Sequence, residues 1–246
     1  MVSTRPRSTA VVTGASRGLG VVIARVLAAR GFDLVIGGRD EAALTGVASA
    51  ISAGHRDVRV VPVSGDIVDP AVRVAVIDAA RQLGGLDVLV NNASALGTIG
   101  PLLDFDVPTF GRLLPVNVGA PMILIQLAAP LLAERRGRVV NITSDAATAA
   151  YPGWGPYGAS KAALELLTRT LAAEVADLGI SVSLVDPGDM RTAMHQEAYP
   201  GQDISDRPPP EVTQPFWEWF FDQDGAAVHG RRFAAQSQEA PWSSTV

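Results

Sequence analysis

Short runs of apolar, mostly β-branched residues recur along the chain at 10–13, 33–37, 58–63, 88–91, 139–142 and 181–185. Each has the length of a strand, and few of them alternate with polar positions, as suits strands covered on both faces. The stretches between them, such as 19–30, 41–53 and 70–83, repeat their apolar positions three and four residues apart and keep charges to one side, which is the period of an amphipathic helix. Strand and helix in regular succession predict a parallel sheet with helices on both faces, joined by right-handed crossovers. The expected fold class is α/β, a doubly wound parallel sheet of about seven strands in a single domain spanning 1–246. Ligands of such sheets bind outside the carboxyl ends of the strands.

Beyond residue 185 the pattern breaks. Residues 186–215 are dense in Pro, Gly, Asp and Gln and include three consecutive prolines at 208–210, so they predict a long loop with one short helix. Loops of this length in a compact domain are usually functional, and the position after a strand end predicts a lid over the substrate side. Phe216, Trp217, Trp219, Phe220 and Phe221 follow as an amphipathic helix whose aromatic side predicts core or subunit contact rather than a ligand box. Residues 231–235 predict a last short strand and 236–246 a C-terminal tail. One further run, 113–133, carries no charge and, at about 1.5 Å per residue, is long enough to cross a bilayer. Pro115, Asn117, Pro121, Gln126 and Pro130 interrupt it, and it joins two strand-like runs, so the expectation is a helix buried against the sheet and partly at a subunit interface.

Composition narrows the partners. The formal charge of -5 and a pI near 5.2 leave no basic field for phosphate backbones, so neither nucleic acid nor an anionic membrane is expected. The absence of cysteine removes disulfides, thiolate catalysis and thiolate-bound metal together. His55, His195 and His229 are too scattered for a metal-ligand pattern, so no metal is expected. The first nine residues carry Arg5 and Arg7 but lead into no apolar signal stretch, and a cytoplasmic protein acting on a small molecule is the simplest expectation. Hydrophobic residues make up 48% and charged residues 18% of the chain, which also fits apolar surface buried between subunits.

The candidate chemistry lies at the predicted strand ends. After the first strand comes Thr13, Gly14, Ala15, Ser16, Arg17, Gly18, Leu19, Gly20. Glycines there permit a tight turn and let the backbone approach a pyrophosphate at a helix N-terminus, although this spacing differs from GxGxxG. The second strand ends Gly37, Gly38, Arg39, with no carboxylate where a ribose 2′-hydroxyl would be held. Arg39 with Arg17 predicts a grip on a 2′-phosphate, hence NADP(H) in preference to NAD(H), while Asp40 serves as the N-cap of the next helix. Further on, Tyr157 and Lys161 lie four apart on one helix face, so the ammonium sits beside the phenol and favours its phenolate. A tyrosine tuned this way is a general acid or base.

Taken in order, Gly14, Gly18 and Gly20, then Asp66, the Asn91-Asn92-Ala93 run, Asn117, Ser144, Tyr157, Lys161 and the Pro187-Gly188 pair resemble the short-chain dehydrogenase/reductase family, in its compact single-domain form with a Rossmann-type sheet. The resemblance extends from Thr9 to about Ala235. It implies that Tyr157 would give a proton to a carbonyl oxygen as hydride arrives, that Ser144 would hold the same oxygen, and that Lys161 would hold the nicotinamide ribose and lower the tyrosine pKa. Asn117 would anchor a water that resupplies protons through Lys161. Cofactor contacts would come from Gly14, Ser16, Arg17, Gly18, Leu19, Gly20 and Arg39, and from Asp66 and Ile67 at the adenine. Asn92 and Ala93 would line the groove, and Pro187, Gly188, Met190 and Thr192 would flank the nicotinamide and its phosphates.

The chain departs from the family pattern in three places. Ser94 stands where a glycine usually ends the Asn-Asn-Ala-Gly motif, which restricts the backbone there. Pro115, just before Asn117, removes a helical hydrogen bond and predicts a kink. Asp189 puts an acid near the substrate side, where it either selects a polar or cationic substrate or caps the next turn. The substrate pocket is expected from Ser144, Asp145, Ala146, Tyr151, Trp154, Tyr157, Asp189, Met190 and the lid, with Leu96 opposite. The implied activity is NADP(H)-dependent interconversion of a ketone and a secondary alcohol, running as a reductase. Two alternatives stay open, an NAD(P)-binding sensor without turnover and a reductase of an activated alkene or imine. Apolar positions on the 113–133 helix and on the Tyr157 helix, including Leu164, Leu166, Leu167 and Leu171, predict a homodimer or homotetramer.

Overall fold

The computed structural model describes residues 7–237 and Trp242. Of the expected tail, 238–241 and 243–246 lie outside the described residues. Among the described residues seven strands form one parallel sheet: β1 (Thr9–Val12), β2 (Asp33–Gly38), β3 (Val60–Ser64), β4 (Val88–Asn91), β5 (Arg138–Ile142), β6 (Ser181–Asp186) and β7 (Arg232–Ala234). Their order is β3-β2-β1-β4-β5-β6-β7, which reverses beside β1 and leaves the crevice of a doubly wound sheet between β1 and β4. Side chains of successive strand residues alternate between two cores. Ala10, Val12, Leu34 and Ile36 enter one, and Val11, Val35, Leu89 and Val139 the other.

Helices α1 (Leu19–Ala29), α2 (Glu41–Gly54) and α3 (Pro70–Leu83) follow the first three strands. Local signals set their ends. Asp40 accepts from the Ala43 amide and caps α2. Asp69 caps α3, Pro70 opens it where a missing amide costs nothing, and Gly84 closes it at φ 115°. The third strand begins at Val60 rather than 58, because the Val58 amide is turned back to the His55 carbonyl.

The uncharged run is not one regular helix. It comprises α4 (Val107–Leu114), a π turn over Pro115–Gly119 and α5 (Ala120–Arg135). Pro115 has no amide to donate, and the widened turn absorbs that loss where a kink was expected. By length and hydropathy 107–135 resembles a membrane span, yet α5 packs Leu124, Ile125, Ala128, Leu131 and Leu132 into the second core. After β5 come α6 (Gly155–Val175) and β6, and then 187–213, which contains α7 (Ala193–Ala198) and a 3-10 turn over Pro210–Thr213. The aromatic segment forms α8 (Gln214–Asp222), whose Phe216, Trp217 and Phe220 are fully buried in the first core; a short α9 (Gly225–Val228) leads into β7.

Candidate active site

A groove of about 680 Å³ opens at the carboxyl ends of β1, β2 and β4. Its floor is backbone. Gly14 (φ 66°) and Gly18 (φ 60°) adopt left-handed conformations, and a Cβ on Gly14 would lie 2.9 Å from the Cα of Ala93. Gly20 stands behind the turn rather than in the groove lining, where a Cβ would come within 2.3 Å of the Gly14 carbonyl oxygen. It is there so that helix and turn can touch. Asn92 braces the turn by donating from Nδ2 to the carbonyls of Thr13 (2.8 Å) and Gly14 (3.0 Å), while Thr13 Oγ1 accepts from the amides of Asn92 and Ala93.

The N-terminus of α1 has no side-chain cap, so its first amides are left for an anion. Ser16, Arg17, Gly18, Leu19, Arg39, Asp66, Ile67, Asn92 and Ala93 all line the groove. Arg17 and Arg39 are exposed, as is Arg25, a groove residue the sequence reading did not single out. A glycine cradle, an uncapped helix start and exposed guanidinium groups fit a phosphorylated dinucleotide.

A second, smaller cavity of about 220 Å³ adjoins the groove. Thr143, Tyr157, Pro187, Met190, Thr192 and Met194 line both. Every residue expected at the substrate side is in this wall: Ser144, Asp145, Ala146, Tyr151, Trp154, Tyr157, Asp189 and Leu96. Gly188, expected beside the cofactor, lines this cavity rather than the groove. Asp186, Met194, His195 and Tyr199 complete it; they belong to the 186–215 segment expected as the lid but were not singled out by residue. The helical residues among these, 194, 195 and 199, come from or directly follow α7, which Thr192 caps by accepting from the His195 amide; the Thr192-to-His195 spacing was the signal available. That cap belongs to Thr192, so Asp189 does not cap the turn. Its carboxylate is largely exposed and lies 3.8 Å from His195 Nδ1.

Around Tyr157 the electrostatics differ from the expectation drawn from spacing. Burial pushes the phenol well above the usual tyrosine range; the hydroxyls of Ser144 and Ser94 oppose the shift, and the carboxylates of Asp186 and Asp145 reinforce it. Lys161 Nζ lies 5.7 Å from the Tyr157 ring centroid and donates to the Ile142 carbonyl at 2.9 Å. Burial pulls this ammonium down to about 8, against an opposing pull from Asp186. Desolvation therefore dominates at both groups in the protein alone, and the lowered phenol pKa expected from the Tyr-Lys spacing is not seen there. Ser144 donates from Oγ to Asp145 Oδ1 at 3.0 Å, and Tyr151 donates to Asp145 Oδ2 at 2.7 Å. The hydrogen bond to Asp145 raises the Tyr151 pKa.

Asn117, buried in the π turn, lines neither cavity. Its Oδ1 accepts from the Ala95 amide (2.8 Å) and Ser94 Oγ (3.0 Å), and its Nδ2 donates to the Ala95 carbonyl and Ser160 Oγ. All the side chain's hydrogen-bonding capacity thus goes to tying the segment after β4 to α6. Ser94 is accommodated in this network without a positive φ, so the missing glycine is not needed.

Comparisons with known proteins agree with this arrangement. A family profile described as short chain dehydrogenase matches residues 8–203. Among curated proteins, L-xylo-3-hexulose reductase of Hypocrea jecorina is 37% identical over 214 residues, 78% of this chain and 69% of that protein. Among solved structures, a short chain dehydrogenase of Salmonella enterica serovar Typhi matches with a TM-score of 0.87 at 30% identity, covering 94% of this chain and 96% of that one. A short chain dehydrogenase structure from Escherichia coli, complexed with NADPH, matches with a TM-score of 0.83 at 30% identity, over 94% of this chain and 97% of that one.

Proposed function

This chain belongs to the short-chain dehydrogenase/reductase family, and on that footing we propose that it is an NADP(H)-dependent oxidoreductase that interconverts a ketone and a secondary alcohol, acting as a reductase. The observation that carries the reading is the position of Tyr157, which lines both the groove and the smaller cavity. A phenol there faces a carbonyl held in one cavity and a nicotinamide held in the other.

The nicotinamide, when bound, supplies the hydride. Tyr157 gives its proton to the carbonyl oxygen as charge develops there. Ser144, whose hydroxyl is next to that position, turns from Asp145 to hold the same oxygen. Lys161 contributes a buried ammonium that would hold ribose hydroxyls and stabilise the phenolate that Tyr157 becomes once its proton has left. Asn117 fixes the segment after β4 against α6, so we assign it a positioning part. Arg17 and Arg39 support NADP(H) over NAD(H), because a 2′-phosphate satisfies two guanidinium groups that otherwise face water; the NADPH complex of the Escherichia coli relative agrees. Segment 187–213 acts as the lid of the smaller cavity.

Asp145, Asp186 and Asp189 line that cavity, and among the described residues His195 is the one lining side chain able to carry positive charge. A small neutral or cationic carbonyl compound fits, and a carboxylate substrate does not. Leu103, Val107, Ile123, Leu127, Leu166 and Leu167 remain exposed on or beside α4, α5 and α6, so we assign a homodimer or homotetramer formed through these helices, in the cytoplasm. A monodisperse monomer at micromolar concentration would contradict the assembly. The test of function is oxidation of NADPH and NADH against a panel of ketones, diketones and quinones, with Tyr157→Phe as control. Turnover with NADPH that vanishes in the variant supports the proposal, whereas tight cofactor binding with no turnover on the panel sinks it.

A further inference from the structure

Behind the candidate site lies a charged network that the mechanism above does not use. Arg232, on β7, is largely buried, with its side chain 14% exposed. Its Nε donates to Glu165 Oε1 at 2.9 Å, and its Nη2 donates to Asp186 Oδ2 at 3.1 Å and to the Ser144 carbonyl at 3.2 Å. Each acceptor belongs to a different part of the site. Glu165 sits one turn beyond Lys161 on α6, and its Oε1 also accepts from Thr143 Oγ1 at 2.8 Å. Asp186 ends β6, and its Oδ1 accepts from the Gly188 amide at 3.0 Å. With Lys161 bound to the Ile142 carbonyl, three successive residues leaving β5 are tied in place: 142 by Lys161, 143 by Glu165 and 144 by Arg232.

Stability alone does not account for such a network. Burying charges carries a desolvation cost that apolar side chains of similar size avoid, often with no loss of stability. What an apolar residue could not do is donate to three separate acceptors from one planar group. We propose that Arg232 is a positioning residue of this site: it holds Ser144, the Pro187-Gly188 turn and the Tyr157 helix in one arrangement, and it neutralises Asp186 beside the phenol. The proposal rests on the reading that Tyr157 is the proton donor.

The charges around Tyr157 make the second role specific. Lys161 faces it from its own helix, Asp145 from the end of β5 and Asp186 from the end of β6; Asp189 and His195 stand across the smaller cavity, and Glu165 and Arg169 pair further along α6. Asp186 raises the phenol pKa and opposes the fall in that of Lys161, and Arg232 is the cation bonded to Asp186. Removing Arg232 leaves that carboxylate uncompensated next to a group that must reach its anionic form.

The experiment compares wild type with Arg232→Met, Arg232→Lys and the double variant Arg232→Met/Asp186→Asn. Two readouts are needed: kcat and KM for carbonyl reduction, and the near-ultraviolet phenolate titration of Tyr157 with NADP+ bound, whose positive nicotinamide favours the phenolate, taken as the difference from Tyr157→Phe. Arg232→Met should lower kcat about tenfold with the KM for NADPH unchanged, and should move the titration upward by about one pH unit. Arg232→Lys keeps the charge but not the three-way geometry, so its titration stays near wild type while kcat remains low. The double variant brings the titration back. If the single variants lose only thermal stability while kcat and titration hold at wild-type values, the proposal is overturned. If wild type reduces no carbonyl compound, the oxidoreductase reading falls, and the phenolate titration still decides the part assigned to Arg232.

Discussion

The two cavities that meet at Tyr157 are built from different materials. The groove is framed by backbone at the ends of β1, β2 and β4: left-handed glycines, an uncapped helix start and amides braced by Asn92 and Thr13. The side chains in its lining include the exposed Arg17, Arg25 and Arg39. The smaller cavity is framed by side chains drawn from the end of β5, the start of α6 and the segment after β6, with aromatic rings in contact across it. Trp154 packs edge-on against Tyr157 at 5.8 Å and beside Tyr199 at 6.4 Å, and Tyr199 lies against His195 at 5.1 Å. A backbone cradle accepts any ligand with the right phosphates and is specified by glycine positions. A side-chain cavity selects by shape and charge, and is specified by how distant segments pack.

The contrast can be tested where it should fail first. Tyr157→Phe removes the hydroxyl common to both cavities while keeping the buried ring, so carbonyl reduction should fall on the order of 10³-fold with the fold and NADPH binding retained; a loss under tenfold, measured by NADPH oxidation, would remove Tyr157 from the chemistry. Lys161 gives the next largest effect, and it is a stability effect. Its folded pKa of about 8 lies below the ordinary 10.5, so between those values the unfolded chain holds a proton that the folded chain has lost, and stability rises with pH. Tyr157, shifted upward from 10.0, acts in the opposite sense only above pH 10. Between pH 8 and 10 the lysine should therefore contribute a gain of roughly 2–3 kcal/mol. Urea unfolding across that interval should show the slope in wild type and a flatter profile in Lys161→Met; equal slopes would mean that the ammonium is not desolvated.

Two smaller effects separate the cavities from each other. Arg39→Ala should raise the KM for NADPH about 10–100-fold and leave that for NADH unchanged, as expected from losing a charged hydrogen bond to a phosphate. Equal changes for both cofactors would show that the guanidinium does not read the 2′ position. Asp189→Asn should improve kcat/KM for a carboxylate-bearing ketone only about 2–5-fold, because this carboxylate is exposed and screened, with no change in either cofactor constant. An effect on NADPH instead would place Asp189 on the groove side.

How much of this was legible depended on the range of the interaction. Strand and helix succession, the Asp40 cap and the glycine turn are decided within a few residues, and they stand in the structure close to where the sequence puts them. The break at Pro115 was legible as a disturbance, but its form as a π turn was not, since a missing amide can be absorbed in more than one way. The pairing of Tyr157 with Lys161 was legible as spacing, whereas the direction of the phenol's shift was not. Spacing along a helix sets which groups are near each other, but burial by β5, β6 and the 187–199 segment sets how strongly each charge is desolvated.

Sequence alone thus determined the fold class, the cofactor cradle and the residue types at the candidate site, because each of these follows from periodicity, backbone conformational freedom or chemical type at fixed local spacing. Only the tertiary structure decided that Gly20 serves packing, that Asn117 spends its hydrogen bonds on the segment after β4, that α7 supplies His195 and that Arg232 reaches Ser144 from 88 residues away. The Asn117 and Arg232 contacts join segments far apart in the chain, and no local pattern carries them, since what brings them together is the burial of the two cores on either side of one sheet.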